Sequence, residues 1–246
     1  VDSPRLDAEV LLAHVLGVSR TGLYGRWAEL LNEQTGQRLA GLLRRRAAHE
    51  PVAYLLGRRF FYDLDLYIDS RVLIPRPETE HLLEDALDWA RMWAGAHKGR
   101  LLRVVDVGTG SGALAIALAR HLNVHVWAVD RSADALEIAS LNAARYSLQE
   151  RVTLVQGDLL SAFTSCFDLI VANLPYVPQE DWPFLPPDVA AYEPRAALDG
   201  GKGGLDAIRR LFAQVPERLA SPGLLLLEID HRQADAVLEM ARTWLP

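Results

Sequence analysis

From about residue 77 onward, short runs of valine, isoleucine and leucine alternate with segments whose apolar residues recur at helical spacing. A strand that is apolar at every position is buried on both faces, which is typical of parallel sheets covered by helices on both sides. The pattern predicts a doubly wound α/β domain over residues 77–246, with ligands bound beyond the carboxyl ends of the strands. The predicted strands are 102–107, 124–129, 152–155, 169–172 and 224–229, and the predicted helices are 78–94, 113–121, 133–146 and 205–219.

The amino-terminal part of the chain follows a different pattern. Residues 1–50 predict a small helical domain. We expect Ser3 to cap its first helix and Gly17 to end it. A second helix is expected to run from near Asn32 to His49, ended by Pro51.

Residues 51–76 mix apolar residues with glycine and aspartate, and they predict short strands or a hairpin that joins two domains. Just before them lies the basic run Arg44–Arg45–Arg46. It is either a solvated helix face or a patch that contacts protein or RNA, and the sequence leaves both interpretations open.

Composition narrows the class of protein. Cys166 is the lone cysteine, so no internal disulfide is expected. No apolar run approaches the roughly 20 residues of a membrane helix, and no signal peptide is recognisable, so we predict a cytoplasmic protein without a membrane partner. The net charge of −6 disfavours nucleic acid as a substrate. The histidines show no metal-ligand spacing, so no metal is predicted.

A glycine-rich turn follows the first predicted strand of the sheet. Its glycines allow a tight turn and a close approach of a ligand to the backbone. Its spacing differs from the dinucleotide pattern, and the carboxylate in front of it suits a cationic amino-acid group better than a pyrophosphate. The turn consists of Asp106, Val107, Gly108, Thr109, Gly110, Ser111 and Gly112.

Acidic residues also follow the next two strands. Asp130 is placed to accept both hydroxyls of a ribose, and Asp158 to accept from an adenine amine whose ring Leu159 covers. Any one of these acids could merely cap a helix. Together with Asp106 they occupy the tips of three successive strands, and that set predicts S-adenosylmethionine as the cofactor.

The fourth strand leads into Asn173–Leu174–Pro175–Tyr176, which in isolation is simply a turn. At the carboxyl end of a strand beside the cofactor site it predicts a holder for a planar amide or amino nitrogen. The Asn173 side-chain oxygen and the Leu174 carbonyl can each accept one N–H, which aims the nitrogen at a methyl donor. Tyr176 can stack on the flat group.

The chain closely resembles the HemK/PrmC family, the N5-glutamine methyltransferases of class-I peptide chain release factors. The resemblance covers nearly the whole chain, and its most diagnostic part is the Pro-Arg-Pro-Glu-Thr-Glu segment. It is carried by residues 51–57 (PVAYLLG), 72–80 (VLIPRPETE), 106–112 (DVGTGSG), 173–176 (NLPY) and 193–201 (EPRAALDGG).

The resemblance implies a helical amino-terminal domain that binds the release factor, a β-hairpin linker and a Rossmann-like (class I) S-adenosylmethionine methyltransferase domain. The implied reaction transfers a methyl group to the side-chain amide nitrogen of the glutamine in the Gly-Gly-Gln loop. Residues 108–112, Asp130, Asp158, Leu159 and Asn173 would contact the cofactor. Residues 173–176 would hold the glutamine, and the mouth of the site would be bordered by Arg76, Pro77 and Glu78, which equally suit a helix amino terminus.

The sequence departs from the family pattern at three places. Leu174 stands where the family has proline, so the loop is expected to be less rigid although the backbone carbonyl remains. Gly203 stands where the family has aspartate. The family fold continues with two further strands beyond Pro246, so we expect truncated ends and an open sheet edge.

Three other functions remain open from the sequence. Asn-Leu-Pro-Tyr is the form of the loop in ribosomal-RNA adenine dimethyltransferases, so an RNA or DNA adenine methyltransferase is one alternative. A glutamine methyltransferase acting on a ribosomal protein is the second. A cofactor-binding assembly factor without catalysis is the third.

Overall fold

A computed structural model describes residues 3–26 and 28–245 of the chain. The remaining residues, and with them the expectation that both ends are truncated, lie outside the described residues. Two helices were predicted near the amino terminus, and both are present as α1 (Pro4–Leu16) and α2 (Glu33–Ala47). A short 3₁₀ helix, Thr21–Arg26, lies between them.

The ends of these two helices follow the sequence except at Ser3 and at the carboxyl end of α2, which lies at Ala47 and not at the predicted His49. Gly17 ends α1 in the left-handed region at φ +65°, and the Asn32 side chain caps α2 by accepting the Thr35 N–H at 2.9 Å. The prediction that Ser3 caps α1 is wrong. Its ψ of 69° is far from the extended value of a capping residue, and its hydroxyl makes no capping hydrogen bond.

Two arginines of the basic run are engaged in ion pairs. The Arg46 Nε lies 2.7 Å from Asp7 Oδ2, and both side chains are largely buried, so this pair ties α2 to α1. Arg45 binds Glu50 at the end of α2. These contacts favour a structural role for this side of the helix over a free basic patch.

The connector begins with a helix that the sequence analysis did not predict. Helix α3 (Val52–Leu56) follows Pro51, and Gly57 ends it at φ +66°. Five apolar residues are too few to show a helical period, which explains the omission. Strands β1 (Arg58–Phe61) and β2 (Leu64–Tyr67) then form the predicted antiparallel hairpin.

Within the described residues the sheet has five parallel strands, in agreement with the prediction. In spatial order they are β5 (Val152–Gln156), β4 (His125–Asp130), β3 (Arg103–Val107), β6 (Phe167–Asn173) and β7 (Leu219–Glu228). The accompanying helices are α4 (Thr79–Ala96), α5 (Ala113–His121), α6 (Ala133–Arg145), α7 (Pro187–Tyr192), α8 (Asp206–Gln214) and α9 (Ala234–Trp244).

The boundary between α8 and β7 differs from the prediction. The helix was expected to reach residue 219, but it ends at Gln214 and a 3₁₀ turn, Val215–Glu217, follows. Pro216 lacks the N–H that the helix would need at this point. Strand β7 therefore begins at Leu219, five residues before the predicted start, and it forms one edge of the sheet within the described residues.

Alternate residues of the central strands enter two separate cores. Val104 and Leu169 pack with α4, α5, α6 and the hairpin, whereas Val105 and Ile170 pack on the opposite face with α8. This two-sided burial explains why the strands are continuously apolar. Within the described residues, no helix is both long and apolar enough to cross a membrane.

Strands β3 and β6 are neighbours at the centre, and the chain leaves them in opposite directions along the sheet. The connection after β3 passes through α5 to β4, and the connection after β6 passes through α8 to β7. A crevice forms where connections diverge in this way, at the carboxyl ends of the strands. The glycine-rich turn and the Asn173–Tyr176 loop both lie there.

One buried amide joins the hairpin to the glycine-rich turn. Asn142 on α6 accepts the Tyr67 N–H at 2.7 Å and donates to the carbonyls of Tyr67 and Ser111, each at 2.9 Å. Its side chain is fully buried. The hairpin is therefore fixed against the main domain by hydrogen bonds as well as by apolar packing.

We expect Asn142→Ala to lower the free energy of unfolding by about 3 kcal/mol, because it leaves buried backbone groups of the hairpin and turn without partners. Urea unfolding followed by circular dichroism measures the change. Leu141→Ala, on the exposed side of the same helix, is the matched control and should cost at most about 1 kcal/mol. Equal effects of the two substitutions would contradict the role given to Asn142.

Candidate active site

A cleft opens at the crevice between β3 and β6. Of the predicted cofactor residues, six lie in its wall: Gly108, Gly110, Asp130, Asp158, Leu159 and Asn173. The wall also contains residues that the sequence analysis did not select, among them Arg71, Leu73, Arg131, Pro194, Ala197 and Arg210. Two of these, Pro194 and Ala197, belong to the 193–201 segment that carries the family resemblance. That segment could therefore have been used to predict them.

Four of the predicted residues lie behind this wall. They are Asp106, Thr109, Ser111 and Gly112, and all four are buried. The Asp106 carboxylate accepts from the Thr109 hydroxyl at 2.7 Å and from the Ala115 N–H at 3.1 Å. Asp106 therefore holds the turn from beneath and joins it to α5, in place of the direct ligand contact that the sequence suggested.

The environment of Asp106 disfavours its ionised form. Burial raises the pKa of this carboxyl to about 7, although the hydrogen bonds from Thr109 and Ala115 act in the opposite direction. The charge of Asp130 nearby also raises the pKa.

The glycine-rich turn leaves space where a ligand could approach. Gly110 adopts φ +54°, and a Cβ built on it would have only the Gly108 carbonyl oxygen within reach, at 4.0 Å. Its N–H donates to Asp130 Oδ2 at 2.9 Å, and the Ser132 N–H donates to the other oxygen at 2.9 Å. Asp130 is thus oriented by the backbone in the cleft wall.

The tip of β5 presents the third acid of the set. Asp158 forms an ion pair with Arg210 of α8, and both side chains are about half exposed. Leu159 next to it lies in the left-handed region at φ 54°, which is uncommon for a leucine. Such backbone strain is frequent at ligand sites.

A second pocket adjoins the cleft and is lined by Arg76, Glu78, Asn173, Leu174 and Tyr176, together with Leu73, Val177, Leu185, Val189, Ala197 and Leu198. Pro77 lines neither pocket and instead lies in the turn that enters α4. Four residues line both pockets: Leu73, Asn173, Leu174 and Ala197. The two pockets therefore meet at the Asn173–Leu174 corner of the loop.

The Asn173 amide is held through its nitrogen. Nδ2 donates to the Thr79 hydroxyl at 3.0 Å, and that hydroxyl donates to Glu228 Oε2 at 2.6 Å. In the described part of the chain, no hydrogen bond is made to Asn173 Oδ1 or to the Leu174 carbonyl oxygen. Both predicted acceptors are thus available at the meeting point of the pockets.

Tyr176 shares the same carboxylate. Its hydroxyl lies 3.1 Å from Glu228 Oε1. Burial raises the pKa of Tyr176 to about 12, and the Glu228 charge and hydrogen bond add to the effect, so the phenol stays protonated.

Leu174 packs into the core beneath the glycine-rich turn. The side chain is 4% exposed and belongs to the same apolar cluster as Val105 and Val107. A Cβ on Gly108 would lie 3.1 Å from Leu174 Cδ2. The leucine therefore anchors the loop through its side chain, at a position where proline would restrict the backbone instead.

Arg76, in the wall of the second pocket, forms an ion pair with Glu193. Arg76 Nη2 lies 2.5 Å from Glu193 Oε1, and the other carboxylate oxygen accepts the Ile74 N–H at 3.1 Å. Burial raises the pKa of Glu193 despite the opposing charge of Arg76. The pair fixes the segment before α4 against the end of α7.

Besides the unpredicted residues of the cleft wall, three polar residues that support the site were not predicted: Thr79, Glu193 and Glu228. Thr79 and Glu193 lie inside segments that carry the resemblance, but the sequence alone does not say what they contact. Glu228 ends β7, so the strand-tip rule that selected the other acids would also have found it.

The departure at Gly203 has a simple explanation in backbone geometry. Gly203 adopts φ +68° with no atom near the position of a Cβ. This left-handed conformation is free for glycine and tolerated by aspartate. Within the described residues, no group of three or more His, Cys, Asp or Glu side chains is arranged to hold a metal ion.

Comparisons with known proteins agree with this geometry. Residues 1–57 match the model of the PrmC N-terminal domain, and residues 104–189 match that of a methyltransferase domain. The release factor glutamine methyltransferase of Rhodopirellula baltica is 42% identical over 93% of this chain and 77% of its own length. That of Geobacter sulfurreducens is 42% identical over 98% of this chain and 82% of its own length.

The chain belongs to the release factor glutamine methyltransferase family. The predicted family resemblance is therefore confirmed. Solved structures support the fold: the ribosomal protein L11 methylase of Lactobacillus delbrueckii subsp. bulgaricus superposes with a TM-score of 0.51 at 24% identity, over 72% of each chain. The predicted Rossmann-like class I methyltransferase fold is thus also confirmed, and the PrmC-type domain precedes it in the sequence.

The raised pKa of Asp106 gives a pH-dependent stability. An aspartate in the unfolded chain titrates near pH 4, so between about pH 4 and 7 the folded protein binds more protons at this site than the unfolded protein. The free energy of unfolding therefore falls as pH rises through this window, by at most about 1.4 kcal/mol per pH unit from this group.

We expect Asp106→Asn to flatten that decline, because the amide does not titrate. Urea unfolding of the wild type and the variant at pH 5, 6, 7 and 8 measures the two slopes. Asp85→Asn, the same change at an exposed position of α4, is the control and should keep the wild-type slope. Parallel slopes for wild type and Asp106→Asn would contradict the assignment.

Proposed function

We propose that this enzyme transfers a methyl group from S-adenosylmethionine to the side-chain amide nitrogen of the glutamine in the Gly-Gly-Gln loop of a class-I release factor. The observation that carries the proposal is the junction of two pockets at Asn173 and Leu174, where two acceptor oxygens are available. An amide –NH₂ has two N–H donors, so it matches this pair.

The residues of the cleft fit S-adenosylmethionine. The left-handed Gly110 leaves room beside the backbone, and Asp130 presents a carboxylate fixed by two N–H groups at the position suited to ribose hydroxyls. Asp158 and Leu159 would bind the adenine, and Asp158 would then leave its ion pair with Arg210.

 The Leu159 side chain lies in the cleft wall, where it would cover one face of the ring. When bound, the cofactor supplies an electrophilic methyl group.

The loop residues would then handle the acceptor. Asn173 Oδ1 and the Leu174 carbonyl accept one N–H each, which holds the amide plane and favours the positive charge that develops on the nitrogen. Tyr176 covers the flat group, and Pro175, in the cleft wall, limits the loop backbone. Arg76 and Glu78 border the acceptor pocket, while Pro77 shapes the turn between them.

The family relationship supports the release factor as the partner. The relatives that match almost the whole chain at about 40% identity are named release factor glutamine methyltransferases. We propose that residues 1–50 form the domain that docks this substrate, that 51–76 connect it, and that 77–246 carry out the transfer. Release factors act on the ribosome, so the enzyme would work in the cytoplasm.

Methyl transfer from labelled S-adenosylmethionine tests the proposal directly. Label should appear on a class-I release factor and be absent from the same factor carrying Gln→Ala in its Gly-Gly-Gln loop. Asn173→Ala should lower kcat by about 100-fold or more, because it removes one of two preorganised acceptors. Label on ribosomal RNA or on a ribosomal protein instead of the release factor would overturn the proposal in favour of the corresponding alternative, and no transfer to any of them would favour a binding protein.

The cofactor site has its own test in a pair of glycines. Gly110 and Gly203 both adopt a left-handed conformation with open space around a Cβ, but only Gly110 lines the cleft. Alanine at either position carries a similar backbone cost of about 1 kcal/mol. Isothermal titration calorimetry with S-adenosylmethionine should show at least about tenfold weaker binding for Gly110→Ala and little change for Gly203→Ala. Equal affinities of the two variants would contradict this placement of the cofactor.

A further inference from the structure

Glu228 is connected to both side chains that would handle the acceptor, directly to Tyr176 and through Thr79 to Asn173. It lies at the carboxyl end of β7, where it pairs in register with Asn173 of β6. Its Oε2 accepts from Thr79 at 2.6 Å, and its Oε1 lies 3.1 Å from the Tyr176 hydroxyl. One carboxylate is thus linked to the first and the last residue of the Asn173–Tyr176 loop.

The direction of these hydrogen bonds is fixed by chemistry. An ionised carboxylate only accepts hydrogen bonds, so the single proton of the Thr79 hydroxyl must point to Glu228. The Thr79 oxygen then has only lone pairs left for its contact with Asn173. Because that contact requires a donor, it must be made by Nδ2 of Asn173, in agreement with the 3.0 Å hydrogen bond.

This orientation decides which atom of the Asn173 amide faces the two pockets. With Nδ2 drawn to Thr79, Oδ1 of Asn173 is the atom left for the junction of the two pockets. An oxygen there accepts from a substrate amide N–H and repels a substrate carboxylate. A flipped Asn173 would present N–H donors and reverse that preference.

We propose that Glu228, acting through Thr79, sets the orientation of the Asn173 amide and thereby makes the site select glutamine over glutamate. Glu228 and Thr79 are positioning residues in this scheme. The inference rests on the proposed function, because it assumes that the acceptor is a carboxamide.

The buried position of Thr79 strengthens the inference. Its side chain is 5% exposed in the first turn of α4, so solvent does not replace its two partners. A serine retains the hydroxyl, whereas valine keeps the shape and removes it. The Tyr176 hydroxyl donates to the other oxygen of Glu228, which leaves Oε2 to Thr79.

Glu228→Gln is the decisive variant. Its amide can donate to the Thr79 oxygen, which frees the Thr79 proton for Asn173 Oδ1 and permits the flipped amide. We expect kcat on the release factor to fall by about 10- to 100-fold, with the Kd of S-adenosylmethionine unchanged. We also expect a release factor carrying Gln→Glu in its Gly-Gly-Gln loop to inhibit the variant more strongly, relative to the natural loop, than it inhibits the wild type.

Three further variants complete the test. Thr79→Ser should keep most of the activity, and Thr79→Val should lose it without gaining affinity for the glutamate-containing factor. Glu217→Gln makes the same chemical change on an exposed side chain and should leave rate and discrimination at wild-type values. If Glu228→Gln does not fold, as judged by circular dichroism, the Thr79→Ser and Thr79→Val pair decides the question.

The outcomes distinguish failure of this inference from failure of the proposed function. Transfer to the release factor by the wild type, with kcat and discrimination unchanged in Glu228→Gln, would overturn this inference and leave the proposed function standing. The same holds if Thr79→Val is as active as Thr79→Ser. No transfer by the wild type to any release factor would overturn both.

Discussion

The cleft exists because the chain leaves β3 and β6, the two neighbouring strands at the centre of the sheet, in opposite directions. Strands β3 and β6 are paired side by side, yet the helix after β3 lies on one face and α8 before β7 lies on the other. The two strand ends therefore cannot be covered by one connection, and a crevice remains between them. The glycine-rich turn forms one side of this crevice and the Asn173–Tyr176 loop forms the other side.

The glycine-rich turn keeps its shape because its polar groups form hydrogen bonds on the side away from the cleft. Asp106 binds Thr109 and Ala115 beneath it, and Asn142 binds the Ser111 carbonyl from α6. Asn142 also holds both backbone groups of Tyr67 in the hairpin. The connector segment is consequently part of the support of the cleft, and not only a link between helices and sheet.

Much of the fold followed from the sequence because it depends on local pattern. Apolar runs predicted the five strands. Gly17 predicted the carboxyl end of α1, and Asn32 predicted the amino end of α2. The failures were also local: α3 is too short to show a period, and the Ser3 hydroxyl depends on a backbone angle that the residue type does not determine.

The site was predictable as far as it lies at strand tips. Asp130, Asp158 and Asn173 all face the cleft, as their positions after buried strands suggested. Asp106 does not face the cleft. Its position at a strand tip predicts where the residue lies, but not on which side of the turn its carboxylate lies. Thr79 reaches the site only through the packing of α4 on β6 and β7, a contact between segments about 95 and 150 residues apart that no local pattern encodes.

The wall shared by the cleft and the acceptor pocket has a thermodynamic consequence. Leu73, Asn173, Leu174 and Ala197 belong to both, so two ligands bound side by side would contact the same residues and their affinities would be coupled. By linkage, the factor by which one ligand strengthens the binding of the second must equal the factor in the reverse direction. The order in which the two ligands arrive then affects the rates of assembly but not the stability of the ternary complex.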